Sequence, residues 1–329
     1  MTRGLKMKNI VHAAIVNRYS LSGVMAQFWF GLACVVALLL SSGVNAQSHP
    51  IGSGECGEEC HEAEFEVWDA SPHQVAFYKF DDPSDELTEK VDSILAAVGD
   101  DDMTESTTCT ICHFTNVQDA PDEDAYADSG PSCESCHGAG SEFRDIHSEQ
   151  DDDFDTRMAK SESLGMTRPH MKFDIAMNCN GCHAMAREEI NGEQITAMLD
   201  AGHPINPDFE LVQYSQGSVK HRFYEPDTSV NADMSQAELA HLYVEGQVAQ
   251  LLAAHQSLNK SSQADYAGAM KQRVASAKKA LANVAGADAF TGSPSEQSAR
   301  ALIKQLEGKD LTGSVGSMLP DASSYKMSE

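Results

Sequence analysis

Basic residues are scarce in this 329-residue chain: 23 Lys and Arg stand against 50 Asp and Glu, a formal charge of −27. Four of the 23 (Arg3, Lys6, Lys8 and Arg18) fall in the first 46 residues, which hold no acid, so the remainder carries 19 against 50, or −31. A field of that sign repels nucleic acid and anionic lipid, and it attracts basic protein partners at a range that salt shortens. Apolar runs are also few between Cys56 and His221, too few to build an ordinary side-chain core. No Ser-His-Asp arrangement, phosphate-binding glycine loop or paired-carboxylate signature stands out. The many acids read as a solvated face, and no catalytic residue is singled out.

The one long apolar run, residues 28–40, follows the basic N-terminal stretch and precedes the small residues Ser41-Ser-Gly-Val-Asn-Ala46. That order is the layout of a secretory signal peptide cut after Ala46, and the run is short of the roughly 20 residues a spanning helix needs. The expectation is an exported, periplasmic protein, with extracellular or outer-membrane association as variants, and no membrane span once the segment is removed.

Cleavage also removes Cys34, leaving eight cysteines in four close pairs: Cys56 and Cys60, Cys109 and Cys112, Cys133 and Cys136, Cys179 and Cys182. An oxidising compartment first suggests disulfides. However, a histidine follows every pair: His61, His113, His137 and His183. Three segments fit Cys-x-x-Cys-His, the pattern in which two thiols form thioethers with the porphyrin vinyl groups and the adjacent imidazole reaches the iron. The fourth, Cys56-Gly-Glu-Glu-Cys-His61, has one residue more between its thiols, which the bridge accommodates by bulging. Four such segments predict four covalently attached haem c groups. Zinc, the rival ligand of paired thiols, would not call for a histidine after each second cysteine.

Each iron has a second axial position, and its occupant decides between electron transfer and catalysis. Eight further histidines are candidates: His49, His73, His147, His170, His203, His221, His241 and His255.

The run Cys133-Glu-Ser-Cys-His-Gly-Ala-Gly, with His147 ten residues after His137, resembles the third haem segment of tetrahaem cytochromes of the c-554 type. Cys60-His61 followed by Trp68 and by His73 resembles that family's first segment. The likeness runs from about Cys56 to Tyr224. It implies a mainly α fold with long irregular loops, a core organised around stacked haems, and distal ligands exchanged between haems. Carried over, it pairs His61 with His147 and His137 with His73. His221 becomes the choice for His183, with His203 its competitor. At His113 the resemblance implies an iron without a distal protein ligand, a vacancy that His203 or His170 could close.

From about Ser235 the texture changes. Ser235-Gln-Ala-Glu is a capping-box pattern, and Leu239, Leu242, Val244, Val248, Leu251 and Leu252 recur at helical spacing. Further helices are expected over about 262–284 and 293–306. The predicted organisation is a signal peptide over 1–46, a tetrahaem domain over 47–230 and a haem-free helical appendage over 231–329. That appendage is expected to pack on the haem core or to join subunits into a homo-oligomer. The expected function is periplasmic electron relay between redox partner proteins with basic docking faces. The alternatives are a nitrogen-oxide-binding enzyme at the His113 haem and a subunit of a cytochrome filament.

Overall fold

Short helices, most of them opened by a side-chain cap or an acidic first turn, account for most of the chain. The computed structural model describes residues 48–58, 60–120 and 123–327, and these belong to one compact unit. The segment read as a signal peptide lies outside the described residues. Among the described residues no helix is long and apolar enough to cross a membrane. The protein is mainly α, and among the described residues the one sheet is a two-stranded antiparallel hairpin of Thr115–Val117 with Tyr126–Ser129.

Two acidic stretches that look loop-like in sequence are helix starts. Ser84 caps the Asp85–Val98 helix, with Asp85 and Glu86 in its first turn. Asp153 accepts from the Thr156 N–H and opens the Phe154–Ser163 helix. Carboxylates are favourable there because they meet unpaired N–H groups and the positive end of the helix dipole.

The tail helices are Gln236–Ser257, Ala264–Leu281 and Glu296–Leu306, the first opened by the Ser235/Glu238 capping box. In the first of them 15 of 22 residues are buried, more than the single apolar stripe of its sequence implies. It is the central rod of the main core, flanked by the Lys172–His183 and Ala264–Leu281 helices and capped by Phe209, Leu211 and Val212. A helix enclosed on nearly all sides needs little amphipathic periodicity.

Apolar packing is uneven along the chain. Among the described residues before Phe173, the buried apolar side chains are Leu95, Cys109, Phe114, Val117, Phe143, Met158 and Met166. The two larger core clusters are built from residues beyond that point. The first half, which carries three of the four cysteine pairs, is therefore held mainly by polar fastenings. Glu134 is one of them, its buried carboxylate accepting from the N–H groups of Ile51, Gly52 and Gly140.

Candidate functional site

A helical turn brings residues three and four positions apart onto one face, and three of the cysteine pairs use that fact. Cys109, Cys112 and His113 share the Thr107–His113 helix, Cys133, Cys136 and His137 the Cys133–His137 helix, and Cys179, Cys182 and His183 the last turns of Lys172–His183. In each, both thiols and the imidazole leave the backbone on one side at the helix end. The first pair departs from this. Its helix stops at Gly57, and the longer turn to His61 closes through the His61 N–H on the Cys56 carbonyl (3.1 Å).

The four motif histidines each face one further histidine. Ring centroids are separated by 6.1 Å for His61 and His147, 5.9 Å for His113 and His203, 6.1 Å for His137 and His221, and 6.2 Å for His73 and His183. Imidazole nitrogens bound to a metal at about 2.0–2.1 Å from opposite sides put the ring centroids about 6 Å apart. The spacing thus suits one hexacoordinate iron between each pair and is too wide for direct ring contact.

Second partners fix the aim of several rings. Nδ1 of His137 meets the Thr167 carbonyl (2.7 Å), that of His147 the Arg144 carbonyl (3.0 Å), that of His203 the Pro204 carbonyl (2.8 Å) and that of His221 the Val219 carbonyl (2.7 Å). Each carbonyl requires the proton on Nδ1 and leaves the Nε2 lone pair for a metal. Gly138, with φ of 92°, turns the chain after His137; a Cβ there would lie 2.2 Å from the Gly165 carbonyl. His241 differs, as its Nε2 faces the Lys309 carbonyl (2.7 Å) and its Nδ1 faces Glu245. His170 and His255 are exposed.

Electrostatics keep the rings in their ligating form. Burial, reinforced by the neighbouring His203, holds His113 down to about 4, and burial followed by His73 and Arg273 does the same for His183. Burial also lowers His73, His137 and His203. Neutral imidazole is the form that binds metal. Burial, and then Glu134, pushes the Cys56 thiol up to about 11; burial likewise raises Cys133 to about 12.

Two of the facing histidine pairs, His113/His203 and His73/His183, line a single cavity of about 480 Å³ with apolar walls that include Phe80, Val91, Ile94 and Met198. Cys109, Cys112, Cys179 and Cys182 open into it as well. Cys182 Sγ approaches the Ile111 carbonyl (3.9 Å), and Asn178 Nδ2 donates to the Cys136 carbonyl (3.0 Å). Adjacent motifs therefore touch through their attachment segments. Among the described residues no group of three or more His, Cys, Asp and Glu converges as a metal cage, whereas tetrahedral zinc needs four ligands at one point. Paired thiols beside opposed imidazoles on an apolar cavity fit haem c.

One expectation is corrected here. The resemblance paired His137 with His73 and assigned His221 to His183, whereas in the structure His137 faces His221 and His73 faces His183. The start of the Pro72–Asp81 helix is fastened to the loop before Cys133: the Gly130 N–H donates to Gln74 Oε1 (2.9 Å) and Trp68 Nε1 donates to the Pro131 carbonyl (2.9 Å). Gly130 approaches the His73 carbonyl so closely that a Cβ would lie 2.2 Å from it. The first turn of that helix faces the cavity shared with His183. The segment around Val219 then carries His221 to His137. His203, not His170, is the residue that faces His113.

Residues 55–138 match the family model of cytochrome c554 and c-prime. That match supports a c-type cytochrome, with covalently bound haem c and a role in electron transfer. The matched cytochrome segment takes in three cysteine pairs with their histidines, and His73; the Cys179/Cys182 motif and the other three distal histidines lie beyond it. No curated protein and no solved structure matches the chain.

Several residues that shape the site escaped the sequence reading. Glu134 and Thr167 carry no spacing signal, because their partners are backbone groups distant in sequence. Phe209, whose ring stacks on His183 with centroids 4.5 Å apart, was legible only as an apolar residue. Arg273 had a readable signal, a cation in the apolar stripe Met270, Val274, Ala277 of a tail helix.

Proposed function

We propose that this chain is a periplasmic four-haem electron-transfer protein, with His61/His147, His113/His203, His137/His221 and His73/His183 as axial ligand pairs. The observation that carries this reading is the set of four imidazole pairs at 5.9–6.2 Å, each joining one attachment-motif histidine to a distal one. When bound, the haems supply a reversible one-electron change at iron. The residues provide the rest. Two fixed imidazoles per site would hold the group, so little rearrangement of the protein would accompany a change of oxidation state, and the apolar cavity would limit water at two of the sites. The Asn178 amide on the Cys136 carbonyl, Cys182 Sγ beside the Ile111 carbonyl, and the packing of the Ser53–Gly57 helix on Cys133–His137 support an order in series from His61 through His137 and His183 to His113.

Enzymatic binding of a nitrogen oxide would need an open distal position on the His113 side, and His203 faces that position. The acidic surface favours partner proteins with basic docking faces, whose association salt would weaken.

Intact-mass and peptide-mass measurements on the exported protein test the reading. Four haem increments, one on each of the peptides bearing Cys56/Cys60, Cys109/Cys112, Cys133/Cys136 and Cys179/Cys182, are expected. A disulfide between Cys56 and Cys60 in place of a haem would reduce the count to three and overturn the four-site assignment.

A further inference from the structure

Arg273 lies in the Ala264–Leu281 helix, beyond the matched cytochrome segment, and is 0% exposed. Its guanidinium donates to three acceptors around the last motif: the Asn180 side-chain oxygen (3.3 Å), the His183 carbonyl (2.7 Å) and the Asn206 carbonyl. It also lies 5.8 Å from the centroid of the Phe209 ring, the ring that stacks on the His183 imidazole. Cation, aromatic ring and ligand imidazole thus form one column.

The groups that Arg273 donates to carry no countercharge. All three acceptors are neutral, Nε has no partner, and among the described residues no carboxylate forms an ion pair with it. The nearby Asp208 is exposed and accepts instead from Gln272 Nε2 (2.7 Å). An unpaired buried cation is costly, and arginine keeps its proton under nearly all conditions. A residue serving only to tie the tail to the motif could do so with neutral donors. What an arginine adds is a fixed positive charge against one ligand pair, where water does little to screen it.

We propose that Arg273 is a positioning residue that sets the redox poise of the site held by Cys179, Cys182, His183 and His73, raising its reduction potential above that of the same site without the charge. The inference rests on the reading that this motif holds a haem. Reduction adds one electron to the iron and removes one unit of positive charge there, so a nearby cation favours the reduced form.

The test is potentiometric titration of the fully loaded protein, after peptide masses have shown haem on Cys179 and Cys182. Absence of haem there would overturn the site assignment itself, separately from the role of Arg273. In Arg273→Met one titrating component should fall by roughly tenfold in its reduction equilibrium, about 59 mV for one electron, with the other components shifting less. Arg273→Lys, which keeps the charge, should retain most of the potential. If Arg273→Met does not accumulate as loaded protein, Asn180→Asp places a carboxylate against the guanidinium with little change of size and should lower the same component. Unchanged potentials in a loaded neutral variant, or an equal fall in Arg273→Lys and Arg273→Met, would overturn the proposal.

Discussion

At the scale of single residues, the decisive group is His203. Gly202, with φ of 99°, and Pro204 confine it to a turn, and its Nδ1 is committed to the Pro204 carbonyl, so Nε2 faces His113. In the proposed function, the distal histidine decides whether the site conducts or binds. His203→Ala should give a ferric protein with a new high-spin signal that shifts when cyanide or nitric oxide is added, while the parent stays low-spin. A parent that is already partly high-spin, or a variant without the signal, would show that another group occupies the position.

The scale of elements is where sequence reading succeeded and failed for identifiable reasons. Cysteine pairs with a following histidine are local, and a helical turn alone assembles them, so the attachment motifs were legible. The eight histidines that form the four facing pairs were also named from sequence. Two of their pairings were not recoverable, because they depend on how the Pro72–Asp81 helix docks on Gly130, a fastening through backbone groups and one glutamine. The acidic runs at Asp85 and Asp153 looked like loops because their role is to cap helices, which shows only once the helix is present.

Glu245 offers a test of the central tail helix. Burial raises its carboxyl to about 7, with Lys172 and the Phe173 N–H lowering it and Asp174 and Glu307 raising it; His241 lies 3.8 Å away. A carboxyl whose folded value lies above its unfolded value near 4.5 holds its proton in the folded state longer than in the unfolded one. Its contribution to stability is complete below about 4.5 and is lost as pH rises through about 7. Relative to Glu245→Gln, the parent should lose stability to denaturant between pH 4.5 and 8. A difference between the two that does not change over that interval would show that Glu245 is ionised freely in the folded protein.

On the scale of the whole molecule, side-chain packing is concentrated after Phe173 while the first half relies on polar fastenings and, in the proposed function, on haem. A chain expressed without haem attachment should show amide hydrogen-exchange protection in the Lys172–His183, Gln236–Ser257 and Ala264–Leu281 helices and little in residues 48–170. Strong protection of the Cys133–His137 region in that haem-free chain would mean that the first half folds on side chains alone.

The four ligand pairs also overlap along the chain. The spans 61–147, 73–183, 113–203 and 137–221 all contain residues 137–147, and none is nested inside another. A polypeptide that emerges from its N-terminus releases the later partner of each span in a fixed order, at 147, 183, 203 and 221. The motif at Cys56 can find its mate first, and the one at Cys133, although third to appear, must wait until last. Until then His137 has three earlier-emerging distal histidines, His73, His147 and His203, within its choice of wrong mates. The interlaced order thus makes the timing of emergence part of how each imidazole meets the imidazole it faces.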